Sequence, residues 1–222
     1  VKYKPLKVTA YLSGGLDTGN SWTPALDGIL AYFYLENKMG IDQFSAERSQ
    51  NTESLVDDMP IQKFFDKQDK DIWVYQCSSP FVKVGRQEII EHYKRFNLNN
   101  LEYLKVKTKT VALTKGKHKN WIFKVFLKLT EKVEWYIVAD KPFIEKMLSN
   151  CTHIGANRGA GYGRVIKWAV IEDEHAESLS MQRPVPLSIL QGTEIDNDAK
   201  IQVWGFRPSV RLHSNKAYCL MP

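Results

Sequence analysis

VEWYIVA (Val133–Ala139), Asp140, KPFIEKMLS (Lys141–Ser149), a glycine-rich stretch, then RVIKWAVI (Arg164–Ile171): this run decides the architecture. The two outer segments are short and rich in β-branched and aromatic residues, as strands are. Between them Asp140 can cap a helix over 141–149, with Pro142 in its first turn. The unit is strand, helix, strand, with a glycine loop joining helix to last strand.

Upstream the same order recurs. LKVTAYL (Leu6–Leu12) reads as a first strand, followed by a Gly-rich stretch from Ser13 to Asn20. Ala25 to about Asn37 reads as a helix, with Leu26, Ile29, Leu30 and Phe33 at helical spacing. Thr23 is its expected N-cap and Pro24 its first helical residue. Met39 to Lys70 is polar and weakly periodic, and Ile72–Cys77 reads as a second strand. Glu88–Phe96 (EIIEHYKRF) has helical spacing, with an irregular linker as the other reading. The whole is βαββαβ, so the expected class is α+β with a ferredoxin-like (RRM-like) core. That core is expected over 1–172, with a basic hairpin inserted at about 103–130. Residues 173–222 form a Pro-punctuated C-terminal extension packed on it, with a strand near Ile201–Phe206.

The chain has 222 residues, 43% hydrophobic and 25% charged, which excludes wholesale disorder. No run approaches eighteen apolar residues, so a membrane-spanning helix is excluded. Val1-Lys2-Tyr3-Lys4-Pro5 has no apolar leader pattern, and three widely spaced cysteines (Cys77, Cys151, Cys219) fit a reducing compartment. A cytoplasmic location is therefore expected.

Charge is distributed unevenly. The net +6 comes from 31 Lys+Arg against 25 Asp+Glu. Tyr103 to Thr130 holds eight lysines (Lys105, Lys107, Lys109, Lys115, Lys117, Lys119, Lys124, Lys128) and no acid, which leaves the rest of the chain at −2. Asp42 to Asp71 is acidic, with eight acids and four bases. In LKVKTKT (Leu104–Thr110) lysine falls at every second residue, the period of a strand with one charged face. A turn-like break at 115–120 and the alternation of 121–130 complete a hairpin of roughly 104–113 with 121–130. Such a face could be merely solvated, with lysine blocking edge pairing. The absence of acids favours a polyanionic partner, since an ordinary soluble surface mixes both signs.

Ile154-Gly155-Ala156-Asn157-Arg158-Gly159-Ala160-Gly161-Tyr162-Gly163-Arg164 is the most informative stretch. It lacks the Gly-Lys-Ser/Thr ending of a P-loop. Its GxGxG follows a helix and precedes a strand, the reverse of a dinucleotide fingerprint. What remains is a loop whose backbone takes positive φ or closely approaches something. Arg158 and Arg164 can fork onto phosphate, and Tyr162 can stack on a base. The other reading is a tight turn with surface arginines.

A glycine-rich loop between the second helix and fourth strand of such a fold resembles the signature of the RAMP superfamily of CRISPR-Cas RNA-binding proteins. Leu26-Asp27-Gly28-Ile29-Leu30-Ala31-Tyr32, the Ile154–Arg164 loop running into Val165-Ile166-Lys167-Trp168, and Arg183-Pro184-Val185-Pro186 together resemble the type IV CRISPR backbone subunit that caps the crRNA 5′ handle. The resemblance implies a non-catalytic subunit that holds the 5′ handle of a guide RNA and seats the first helical backbone subunit, with the large subunit as a further partner. Target DNA would be met only through the complex. No cofactor, metal or membrane is implied. The RNA-binding residues expected are Gly155, Asn157, Arg158, Gly159, Gly161, Tyr162, Gly163 and Arg164 from the loop. Lys105, Lys107, Lys109, Lys115, Lys117 and Lys119 are expected from a protruding thumb. Trp22 and Trp121 are the tryptophans freest to stack on bases, whereas Trp73, Trp135 and Trp168 are expected in the core.

The superfamily also contains ribonucleases that cut precursor guide RNA, and a metal-independent one needs a general base and a cation. His118, flanked by Lys117 and Lys119, is the first candidate, and His153 beside the loop is the second. His92, His175 and His213 have no suggestive neighbours. Cys151-Thr152-His153 is a single C-x-H pair without the second pair zinc needs. Asp57-Asp58, a lone acidic pair, carries little weight as a magnesium site. A generic single-stranded RNA-binding module is the third reading.

Overall fold

The computed structural model describes residues 2–18, 22–40, 56–97, 112–114, 118–190, 196, 198–208, 210 and 213–222. Its central strand is β1 (Lys4–Leu12), paired antiparallel on one side with β8 (Lys132–Ala139) and on the other with β9 (Val165–Glu172). Beyond β8 lies β5 (Phe81–Val82), so the sheet order is β5-β8-β1-β9. Alternation along β1 turns Leu6, Val8 and Ala10 to one face, where all three are fully buried. They share a single core with Trp135 and Ile137 of β8, Leu26 and Leu30 of α1 (Leu26–Met39), and Ile144 and Leu148 of α2 (Lys141–Leu148). Helices following β1 and β8 and packing on an antiparallel sheet in this order fit the expected α+β, ferredoxin-like arrangement.

The decisive run behaves as read. Asp140 caps α2 by accepting from the Phe143 amide at 3.1 Å. The start of α1 differs from expectation. Its N-cap is Ala25, with no side-chain cap, and Thr23 and Pro24 precede it. The Pro24 carbonyl instead accepts from Trp135 Nε1 at 3.0 Å, which ties that residue to the sheet.

The second strand is also redistributed. β4 (Trp73–Tyr75) pairs with β3 (Lys63–Phe65) in a small separate hairpin. The edge of the main sheet is completed by β5 and by an isolated bridge from Cys77 to Ile137.

Glu88–Phe96 is neither helix nor linker. Glu88–Lys94 belong to β6 (Arg86–Lys94), which pairs along all nine residues with β7 (Trp121–Leu129). Of the hairpin expected from 104–113 with 121–130, the second strand is present as β7, and β6 pairs along one of its edges. Residues 104–111 lie outside the described residues. The ribbon is anchored by β2 (Gly15–Asp17), which pairs with Leu127–Leu129 on the opposite edge of β7.

The C-terminal part forms a three-stranded sheet, β10 (Val185–Pro186), β12 (Lys216–Leu220) and β11 (Ile201–Gly205), after a short helix α3 (Ala176–Leu179). Val185, Ile189, Phe206, Cys219 and Met221 make a second small core together with Val74 of β4. The three cysteines are free thiols and all are buried. No helix among the described residues is long and apolar enough to cross a membrane.

Candidate nucleic-acid interface

The glycine loop takes its shape from backbone that only glycine tolerates. Gly155, Gly161 and Gly163 have φ of 83°, 88° and 66°, and Asn157, at 50°, is the one non-glycine residue among those described that takes a positive φ. A Cβ on Gly163 would lie 1.8 Å from the Ile154 carbonyl oxygen, and one on Gly155 would lie 2.6 Å from that of Asp17. Both glycines thus answer the expectation of close approach as well as of positive φ. Gly159 has open space around it. A single 3-10 turn, Arg158–Ala160, forms the tip.

The loop is moored to β2. The Gly163 amide donates to the Gly15 carbonyl at 2.9 Å and the Ala156 amide to that of Asp17 at 2.9 Å. Asn157 Nδ2 donates to the buried Asp17 carboxylate at 2.6 Å. Below the turn, the Ile154 amide donates to the Gly163 carbonyl, and His153 bridges Arg164. With its base fixed, the turn presents Asn157, Arg158, Gly159, Gly161 and Arg164 to solvent.

Tyr162 points elsewhere. Its hydroxyl lies 2.8 Å from His92 Nε2, and the His92 ring stacks on Phe123 at 4.8 Å and 15°. Phe123 in turn meets Trp121 at 4.9 Å. Two of the expected stacking residues, Tyr162 and Trp121, therefore stand at opposite ends of one aromatic row. That row climbs the face of the ribbon turned toward the loop. Trp121 is 42% exposed near the ribbon tip.

The other expected residues fall in several places. Trp22 is half-buried against the C-terminal core, with Lys200 Nζ 5.8 Å from its ring centre. It lines a cleft of about 450 Å³ that also reaches His153, Gly155 and Arg158. Lys119 is exposed beside the tip. Lys105, Lys107, Lys109, Lys115 and Lys117 lie outside the described residues. Trp73 and Trp135 are buried, as read, and Trp168 is half-buried with its Nε1 donating to the Cys151 carbonyl at 2.8 Å.

The two candidate histidines sit on different elements. His118 meets Phe96 edge-on at 5.0 Å, while His153 Nδ1 lies 3.0 Å from Thr152 Oγ1. Among the described residues, no three His, Cys, Asp or Glu side chains converge as a metal site would require. Burial pushes the Cys151 thiol up to about 11, which disqualifies it as a ready thiolate at neutral pH.

Sequence reasoning missed His92 and Asp17. His92 carries no local signal because its partners arrive from the loop and the facing strand. Asp17 ends a glycine-rich stretch read only as a connection.

An antiparallel α+β sheet thus carries an arginine-bearing glycine loop between α2 and the last core strand, β9. The family model for CRISPR type IV associated protein Csf3 matches residues 4–208, and the chain belongs to that family. The match takes in the glycine loop and Arg183. No curated protein matches the chain.

Proposed function

We propose that this protein is a non-catalytic crRNA-binding subunit of a type IV CRISPR effector complex, which grips the 5′ handle of the guide RNA. The observation that carries this reading is the loop itself. Its backbone is pinned at both ends to β2, while Arg158 and Arg164 stand free on its surface beside an aromatic row. The pinned backbone fixes where these two arginines project, and their guanidinium groups can fork onto phosphates. Unstacked bases can lie against the exposed end of the row, each stack contributing about 1–3 kcal/mol. Phosphate contacts set the register and base contacts give the preference for one handle. In this reading the lysines of 105–119 add further phosphate contacts. The helical backbone subunit and the large subunit are the protein partners in this reading, and target DNA is met through the assembled complex.

The test is guide-RNA loading by Arg158→Glu/Arg164→Glu. The double variant should fold as wild type and co-purify with no RNA bearing a shared 5′ handle. Normal loading by the folded variant overturns the site. Charge reversal at Lys115, Lys117 and Lys119 should weaken binding and flatten its salt dependence. Incubation of the purified protein with precursor guide RNA, with and without chelator, tests the endoribonuclease alternative at His118 or His153, and no cleavage is expected.

A further inference from the structure

The ribbon has a second face. Strand alternation turns His92, Phe123, Val125 and Leu127 inward, toward the loop and body, and Ile89, Glu91, Tyr93, Ile122, Lys124 and Phe126 outward. Across the two strands Ile89 stands opposite Phe126, Tyr93 opposite Ile122, and Glu91 opposite Lys124. The four apolar side chains are 53–63% exposed, and they form one cross-strand cluster rather than scattered surface residues.

The charges at the centre of this cluster are spent on each other. Lys124 Nζ lies 3.4 Å from Glu91, and the Tyr93 hydroxyl also donates to that carboxylate. These hydrogen bonds, first from Tyr93 and then from Lys124, hold the Glu91 carboxyl below its usual range. The remaining charges on this face are basic: Lys128, opposite Gln87 at the base, and Arg95 at the tip, 5.6 Å over the Tyr93 ring.

Two features set this face apart from a nucleic-acid track. Each exposed ring, Phe126 and Tyr93, is paired across the strands with an isoleucine, Ile89 and Ile122, rather than with another ring, and the Glu91 carboxylate stands at the centre, where phosphates would pass. An apolar centre between cationic ends instead matches a protein surface of the opposite pattern.

We propose that the outer face of the β6–β7 ribbon docks another protein subunit of the type IV CRISPR assembly, one presenting an apolar patch flanked by carboxylates. This rests on family membership and on the surface chemistry, not on the RNA reading. The ribbon then has a division of labour, with its inner side toward the loop and its outer side toward a neighbouring subunit.

The test is Ile89→Asp/Phe126→Asp, co-expressed with the other subunits of the same complex and followed by affinity capture and light scattering. Both positions are exposed, so the variant should keep the wild-type melting temperature and the guide-RNA affinity of the isolated protein. Its association with the protein subunits should fall at least tenfold, while Phe126→Leu keeps it. Should the double variant fail to fold, Arg95→Glu/Lys128→Glu replaces it, with the same loss expected. Unchanged assembly by either folded variant overturns the proposal. So does loss of RNA affinity with assembly intact, which would make the face an RNA track. A wild-type dimer that the substitution turns into a monomer would assign the face to a second copy of the chain and overturn it as well.

Discussion

Arg183 Nη1 lies 2.9 Å from Asp27 Oδ2, and both side chains are almost wholly buried. Arg183 also donates to the carbonyls of Tyr75 at 3.0 Å, Cys77 at 3.1 Å and Phe206 at 2.8 Å. Asp27 accepts from the Gly28 amide with its other oxygen. One guanidinium thus joins the first turn of α1, the segment after β4 and the end of β11. The pair also unites two of the three stretches whose resemblance first pointed to the family.

Breaking this pair from one side leaves the other charge stranded in the interior. Arg183→Met is expected to destabilise the fold by about 3–5 kcal/mol, and Asp27→Leu by a similar amount. The double variant Asp27→Leu/Arg183→Met should recover the part of that loss due to a stranded charge, but not the part due to the three carbonyls that Arg183 leaves unpaired. Chemical denaturation followed by circular dichroism checks this, and additive losses would show that the pairing is not the cause.

The loop glycines should divide into two groups. Gly163→Ala forces a methyl against the Ile154 carbonyl at positive φ and is expected to cost about 2 kcal/mol or more, with guide-RNA affinity falling as the loop is displaced. Gly159→Ala meets open space and should leave stability within about 0.5 kcal/mol. Equal effects at the two positions, read by thermal melting and filter binding, would contradict this account of the loop.

His92→Phe keeps the stack on Phe123 and removes the hydrogen bond to the Tyr162 hydroxyl. A stability loss of about 1 kcal/mol is expected. Tyr162→Phe should cost about the same, and the two together little more than either alone. A double-mutant cycle in denaturant measures that coupling.

The thiols provide a pH test. Burial pushes Cys151 and Cys219 up to about 11, from an ordinary value of 9.0, and pushes Cys77 up as well. Below about pH 9 the thiols are protonated in both folded and unfolded chains, so their contribution is constant. Above it the unfolded chain ionises first, and stability falls as pH rises toward 11. At pH 8 a disulfide reagent should react with no cysteine until denaturant is added. Fast reaction of the native protein would contradict the burial.

What the sequence could disclose depended on how local the signal was. The run from Val133 to Ile171 carries cap, period and loop within itself, and its strands and helix appear where they were read. Glu88–Phe96 misled because Ile89, Ile90 and Tyr93 sit at helical spacing when both faces of a strand carry apolar residues. Here one face meets the body and the other lies open, so no clean alternation survives. The pairing of β6 with β7 carries no local signal for another reason: alternation identifies a strand but does not say which strand lies beside it. Of the site, the loop and its arginines were legible from glycine spacing. The roles of His92, Asp17 and Arg183 were not, since each depends on partners distant in the chain.

β2 is only three residues long, yet its two edges serve different masters. One edge pairs with β7, and the carbonyls of Gly15 and Asp17 on the other hold the amides of Gly163 and Ala156. Gly15 has no side chain at the point where Leu127 presses in, since a Cβ there would lie 2.2 Å from the leucine. The strand works as a shared axle. Ribbon and glycine loop are thus joined through the same three residues of backbone.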